Sequence, residues 1–278
     1  MRVTVGLLHP GEMGSALGAV LATRGVDVVW ASTGRGDATR HRADAAGLRD
    51  VETVAELAST SDVILTVCPP HAAEDVAAAV GRFNGIYVDA NAVSPETTRR
   101  IATRFDRFVD GGIVGAPPRA DRTVRLYLSG RSAGTVAELF ARSPVETVIL
   151  GDEIGSASAL KMAYAAWSKG TAALVLTIRA LARAEGVEDP LVQEWLLSVP
   201  GLLERSEQAA RSAGHKGWRW VGEMEEIAAT FAAAGLPNGF HRAAAAVYRR
   251  TPRAENAVAK GDLLTEVVDA LLEPRDRG

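Results

Sequence analysis

The chain has 278 residues, 47% apolar and 23% charged, with a formal net charge of −3. That length supports one large domain or two ordinary ones, and the charge provides no basic field for nucleic acid or an anionic membrane surface. The single cysteine, Cys68, excludes an internal disulfide, and five histidines without ligand spacing predict no metal.

In chain order, short β-branched runs alternate with helical patterns. Val3–Leu8, Val26–Ala31, Val63–Val67, Ile86–Asp89 and Phe108–Asp110 read as buried strands. Between them, Glu12–Arg24, His71–Arg82 and Pro95–Arg104 read as helices, the last opened by a Ser94 cap and a proline whose missing amide hydrogen costs nothing there. Leu126–Leu128 and Thr147–Leu150 complete the set of strands. Such alternation requires right-handed crossovers and a parallel sheet covered on both faces. After Gly151 the β-branched runs stop. Glu153–Glu185 has helical spacing throughout and reads as a long, central, buried helix. Shorter helices follow, punctuated at Pro190, Pro200, Gly214, Gly235-Leu236-Pro237 and Pro252. The expected organisation is an α/β, doubly wound part over 1–152 and an all-helical part over 153–278. The run Val3–Leu8, broken at His9-Pro10-Gly11, does not read as a secretory signal, and no apolar run is long enough to span a bilayer. The expectation is a cytoplasmic protein.

The first strand runs into His9-Pro10-Gly11-Glu12-Met13-Gly14 and then a helix. A pyrophosphate requires this arrangement: a tight turn that its oxygens can approach, followed by helix amides. Gly11 and Gly14 occupy the second and third glycine positions of a dinucleotide fingerprint, and His9 occupies the first, as a turn residue. Gly11, Glu12, Met13 and Gly14 are therefore cofactor-binding candidates in a Rossmann domain. The second strand ends Trp30-Ala31-Ser32-Thr33-Gly34-Arg35 with no acid at its tip. A carboxylate there would accept from ribose hydroxyls, whereas hydroxyls and a guanidinium suit a 2′-phosphate. Ser32, Thr33 and Arg35 thus predict NADP, with Arg40 in support and Asp37 on a solvated loop. Cys68 and Pro69 follow a central strand, at the crevice where a nucleotide lies, and Asn91 follows the next strand as a candidate for the carboxamide or for a plain Asx turn.

These motifs together resemble the superfamily of 6-phosphogluconate and β-hydroxyacid dehydrogenases, which includes the imine reductases. Gly6–Gly14 is similar to the opening G-F-I-G-L-G-x-M-G, Val109–Gly115 to the substrate loop V-D-A-P-V-S-G, and Gly155–Lys161 to the G-x-G-x-x-x-K that opens the long helix. Arg219–Ile227 and Gly235–Arg242 resemble a branch with a phosphogluconate-dehydrogenase-like C-terminal domain of unknown function. The resemblance implies that Lys161 is the acid/base catalyst and that Val114 and Gly115 meet substrate. It also implies that the helical part pairs with a second subunit. Two departures stand out: Val114 replaces the loop serine, and Ala165 replaces the asparagine one turn after the lysine.

A lysine near the start of an apolar helix is costly to bury unless paired or functional. Tyr164 and Ser168 form a stripe beside Lys161, and Trp220, Glu223 and His241 are further pocket candidates, each with an ordinary packing role as the alternative. Lys169, two turns on, is expected to be structural. The expected activity is NADP-dependent hydride transfer on a small hydroxy or keto compound. An imine reductase and a non-catalytic NADPH-binding regulator are the alternatives. Small-molecule substrate, no nucleic acid, no membrane and a homodimer complete the expectation.

Overall fold

A computed structural model describes residues 3–253 and 263–273. The chain divides into two compact units, 1–162 and 163–278. The division falls inside a helix, whereas the expected division at 152/153 marks the change of composition.

The first unit comprises β1 (Thr4–Leu8), α1 (Glu12–Thr23), β2 (Asp27–Trp30), α2 (Asp37–Ala45), β3 (Arg49–Asp50), α3 (Val54–Thr60), β4 (Val63–Thr66), α4 (Ala73–Val80), β5 (Ile86–Asp89), α5 (Pro95–Ala102), β6 (Phe108–Val114), β7 (Val124–Ser129), α6 (Ala133–Leu139), β8 (Val145–Ile149) and the first turns of α7 (Ser156–Ala184). The eight strands form one sheet in the order β3-β2-β1-β4-β5-β6-β7-β8. All neighbours are parallel except β6 and β7, which run antiparallel with Gly112 opposite Tyr127. Alternate strand residues feed two cores. Val5, Leu7, Val28, Trp30, Leu65 and Val88 pack with Leu17 and Leu21 of α1 and Val136 of α6. Leu8, Val29, Ile64 and Tyr87 pack with Leu57 of α3, Ala77 of α4 and Ile101 of α5. The period-2 alternation of each strand explains this division between faces. Ser94 caps α5 by accepting from Thr97 N at 3.2 Å, as the sequence predicts.

Three readings of this unit are corrected. β6 continues to Val114, so Gly111–Val114 is buried strand instead of loop. Asp37 opens α2 instead of lying on a loop. The sheet is not wholly parallel, because β6 and β7 pair antiparallel without a crossover helix. The elements α2, α3, α6 and β3 carry too few periodic apolar residues to be read from the sequence.

The second unit contains the rest of α7, then α8 (Glu188–Ser198), α9 (Leu202–Ala233), α10 (Gly239–Arg250) and α11 (Leu263–Leu272). Met224 and Ile227 of α9, Ala245 and Tyr248 of α10, and Val267 and Val268 of α11 are buried. Gly214 does not punctuate: α9 runs through it, because it is buried on a packed face and tertiary burial outweighs the cost of about 1 kcal/mol for a helical glycine. Pro190 lies in the first turn of α8, where its missing amide hydrogen breaks nothing. Nor is α7 buried all round, since Tyr164, Trp167, Leu174, Ile178 and Leu181 are exposed. Arg179 and Arg183 of α7 both bind Glu188 of α8, and Arg183 also reaches Asp269 of α11 at 2.9 Å. No helix among the described residues is long and apolar enough to cross a membrane.

Candidate functional site

Strand order reverses at β1, with β2 on one side and β4 on the other. In an open parallel sheet the crevice for a ligand lies there, beyond the carboxyl ends of the strands. The turn from β1 into α1 sits at that position. Gly11 is the N-cap of α1, and no side chain caps the helix there, so the first turn of α1 is presented through its main chain. A Cβ at Gly11 would meet nothing within 4 Å, whereas one at Gly14 would lie 2.6 Å from His9 O. Gly14 is thus needed by the turn itself, and Gly11 keeps the approach to the amides open. Glu12 is exposed and Met13 packs against the core. This cradle fits a pyrophosphate, with main-chain donors in place of side-chain ones.

Two arginines contact the same turn, and a third contacts the end of β2. Arg35 Nη2 lies 3.3 Å from His9 Nε2. Arg40 Nη2 donates to Ser32 O at 3.2 Å. Arg42 Nε donates to Pro10 O at 3.2 Å. Sequence reasoning named the first two and missed Arg42, because the segment carrying it read as loop; as part of α2 it turns back toward the glycine turn. The three proposed phosphate readers differ in placement. Thr33 is exposed and Arg35 half-buried, whereas Ser32 is buried and hydrogen-bonded to Asp50 at the end of β3. Burial pushes the Asp50 carboxyl up, but hydrogen bonds from Ser32 and Glu52 N, with the Arg40 charge, hold it below its ordinary value.

At the ends of β4 and β5, Cys68 N donates to Asn91 Oδ1 at 2.6 Å, and Asn91 N donates to Asp89 Oδ1 at 2.9 Å. Asn91 thus makes the local turn and holds the Cys68 loop. Pro69 is exposed beside it. Burial pushes the Cys68 thiol up to about 12, which keeps it protonated and unreactive. Burial, with the Asp110 charge adding to it, pushes the Asp89 carboxyl up to about 7.

Lys161 is positioned by β6 and the start of α7. Asp110 Oδ2 accepts from Ser129 Oγ, Gly155 N and Ser158 N, each at 3.0 Å, and Asp110 Oδ1 accepts from Ser158 Oγ at 2.6 Å. One buried carboxylate therefore caps α7 and ties it to β7. Gly112 lets the helix close on the strand: a Cβ there would lie 2.6 Å from Ala157 O and 3.2 Å from Lys161 Cβ. With the first turns of α7 held this way, Lys161 Nζ donates to Ile113 O at 2.7 Å. The backbone of Gly115, just beyond the strand, has φ of 129°, a region open to glycine. Val114 is buried in the strand, so its side chain is no polar handle. Sequence reasoning missed the roles of Asp110 and Gly112, although both lie inside the motif it quoted.

In the second unit, Tyr164 and Ser168 are exposed on α7. Lys169 Nζ pairs with Glu223 Oε2 at 2.5 Å, and its charge lies 5.8 Å from the Trp220 ring centroid. Trp220 also meets Tyr248 edge-on, and Tyr248 donates to Lys169 O at 2.6 Å. His241 is buried against Phe231, and burial holds its imidazole below its ordinary range. Trp220 and Glu223 therefore come together around Lys169, which the sequence placed as structural. No metal-binding cluster occurs among the described residues.

Residues 4–92 match a family described as NADP oxidoreductase coenzyme F420-dependent, and residues 182–251 match a domain of unknown function, DUF1932. An uncharacterised 28.5 kDa protein encoded in the 7S RNA 5′ region of Methanothermus fervidus is 31% identical over 192 residues, covering 68% of this chain and 74% of that protein. A conserved hypothetical protein from Sinorhizobium meliloti 1021 shares the fold at a TM-score of 0.70, with 24% identity over 97% of both chains. The conserved protein MTH1747, of unknown function and described as structurally similar to 3-hydroxyacid dehydrogenases, matches at a TM-score of 0.67. It is 26% identical over 97% of this chain and 98% of that one. The chain belongs to the 6-phosphogluconate and β-hydroxyacid dehydrogenase superfamily, in the branch that carries DUF1932. It is homologous to dehydrogenases and reductases. The superfamily's two halves match the two kinds of structure found: the nucleotide-type match covers β1 through β5, and the DUF1932 match lies within the helices.

Proposed function

We propose that this superfamily member is an NADP-dependent oxidoreductase that moves a hydride between nicotinamide and a small hydroxy or keto compound, with Lys161 as general acid and base. The observation that carries the reading is the placement of the Lys161 ammonium at Ile113 O, near the carboxyl end of β6. β6 runs parallel to β5, so its carboxyl end opens on the same side of the sheet as the glycine cradle.

In this reading the main chain at the start of α1, beyond Gly11, holds the pyrophosphate. Thr33 and Arg35, with Arg40 and Arg42 behind them, take the 2′-phosphate, and Ser32 shapes their loop. Cys68, Pro69 and Asn91 form the wall toward the nicotinamide half. A nicotinamide held there supplies the hydride chemistry. Lys161 gives a proton to the substrate oxygen in reduction and takes it back in oxidation, within hydrogen-bond reach of that atom. Gly115 and Val114 border the reacting end. Tyr164, Ser168, Trp220, Glu223 and His241 are proposed to shape substrate contact from the helical part. Lys161→Met is expected to lower alcohol oxidation on the order of a hundredfold or more while leaving NADPH binding in place, as steady-state rates and nucleotide titration would show. An unchanged oxidation rate would remove lysine from the mechanism.

One observation favours a second reading, an imine reductase. Val114 and Ala165 are both buried and apolar where hydroxyacid enzymes of the superfamily carry polar residues. A panel of cyclic imines set beside keto acids, with NADPH, separates the two.

The domain plan proposed is a nucleotide-binding part over 1–152 and a substrate and dimerisation part over 153–278, in a cytoplasmic protein whose lone cysteine suits a reducing compartment. The homodimer rests on α7. Tyr164, Trp167, Leu174, Ile178 and Leu181 are exposed at spacings of three, seven, four and three residues, which put them on one helical stripe. Trp167 is 68% and Leu181 62% exposed, and a stripe of this kind is normally covered by another helix. A second copy would cover it.

A further inference from the structure

His9 is the residue in the glycine turn that the fingerprint does not account for. Its backbone has φ of 68°, a left-handed conformation that glycine adopts freely and that costs another residue on the order of 1 kcal/mol. Glycine would relieve the strain, so what the imidazole does must offset it. The ring lies against Arg35, with Nε2 3.3 Å from Nη2. A guanidinium can only donate, so the contact is a hydrogen bond only when that ring nitrogen carries no proton. Burial, with the Arg35 charge adding to it, brings the imidazole pKa down to about 4, so the ring is a neutral acceptor across the ordinary range. The groups around the pair do not compete for it. The Cys68 thiol near Arg35 stays protonated, and Arg42 is occupied by Pro10 O and Thr39 Oγ1.

We propose that His9 is a positioning residue: it holds the Arg35 guanidinium at the end of β2 and so sets the preference for a 2′-phosphorylated over an unphosphorylated nicotinamide dinucleotide. The inference rests on the reading of Arg35 as phosphate binder. It makes the residue in place of the first glycine a specificity element as well as a turn. A long flexible arginine loses side-chain entropy when it orders on a ligand, and a fixed acceptor behind it removes part of that loss beforehand.

Two measurements test it. The first needs no nucleotide. In the free protein the His9 ring resonance should titrate near pH 4, and in Arg35→Ala its titration should move upward as the neighbouring charge disappears. An unmoved titration would overturn the contact. The second is a double-mutant cycle on NADPH and NADH dissociation constants, followed by nicotinamide fluorescence. His9→Gly, which relaxes the turn and so preserves folding, is expected to weaken NADPH about tenfold and leave NADH within about twofold. In an Arg35→Ala background the same change should leave NADPH affinity unaltered. His9→Asn, which tolerates the left-handed backbone but does not reach Arg35, should behave as His9→Gly. Equal weakening of both nucleotides, or an undiminished effect without Arg35, overturns the inference alone. A wild-type protein that shows no preference for NADPH overturns the cofactor reading and the inference with it.

Discussion

The two units hold themselves together by different means. In the first, strands pair along their backbones, and at the end of the sheet some buried polar side chains are tied to main-chain amides. Asp110 is the strongest case, one carboxylate serving Ser129, Gly155 and Ser158. In the second, among the described residues, there is no strand. The polar links there include ion pairs between long side chains, such as Arg183 with Glu188 and Asp269, and a row of apolar residues faces outward from α7. A short buried group with several partners fixes atoms in place, whereas an open apolar stripe leaves a surface adaptable. In the proposed function the first arrangement would serve the nucleotide cradle and Lys161, and the second the substrate contacts and the subunit contact.

The contrast can be broken most severely at Asp110. Asp110→Ala leaves two buried amides and two hydroxyls short of an acceptor, and is expected to cost about 3–4 kcal/mol in chemical denaturation. A loss under about 1 kcal/mol would mean that α7 is anchored by other contacts. A smaller effect is expected at Asp89. Its carboxyl has a folded-state value of about 7, well above that of an unfolded aspartate. The stability this group contributes is therefore complete below about pH 4 and is lost as pH rises toward and through 7. Asp89→Asn, which mimics the protonated form, should flatten that slope and stabilise the protein above neutrality on the order of 2 kcal/mol, measured by denaturant midpoints from pH 4 to 8. An unchanged slope would show that Asp89 is ionised throughout. The smallest effect on the fold is expected on α7. Leu174→Glu with Leu181→Glu changes exposed positions, so helicity by circular dichroism should stay the same while the mass in sedimentation equilibrium falls from dimer to monomer. A wild-type monomer, or a variant that stays dimeric, removes the stripe as the interface.

Much of the first unit was legible because its signals are local. Five strands with short apolar runs rich in β-branched residues, the Ser94-Pro95 helix start and the Gly11–Gly14 turn each express their physics within a few residues. Lys161 was legible through a short motif at the start of α7. Elements whose stabilisation comes from neighbours were not legible. β3 has two residues and exists by pairing with β2, and α2 has almost no buried face. Gly214 looked like a helix break because a sequence shows its propensity and not the packed face it lies on. The pairing of Arg42 with the glycine turn was hidden by a separation of 32 positions along the chain.

The principal strands and helices of the first unit, the glycine turn after β1 and the change to helices in the second half follow from periodicity and backbone preference, which each stretch of chain carries by itself. Tertiary structure alone decided that β6 extends through Gly111–Val114 to receive α7, that one carboxylate anchors that helix, and that His9 meets Arg35. Those outcomes depend on burial and on distances between residues far apart in the chain, and a pattern read along the chain contains neither.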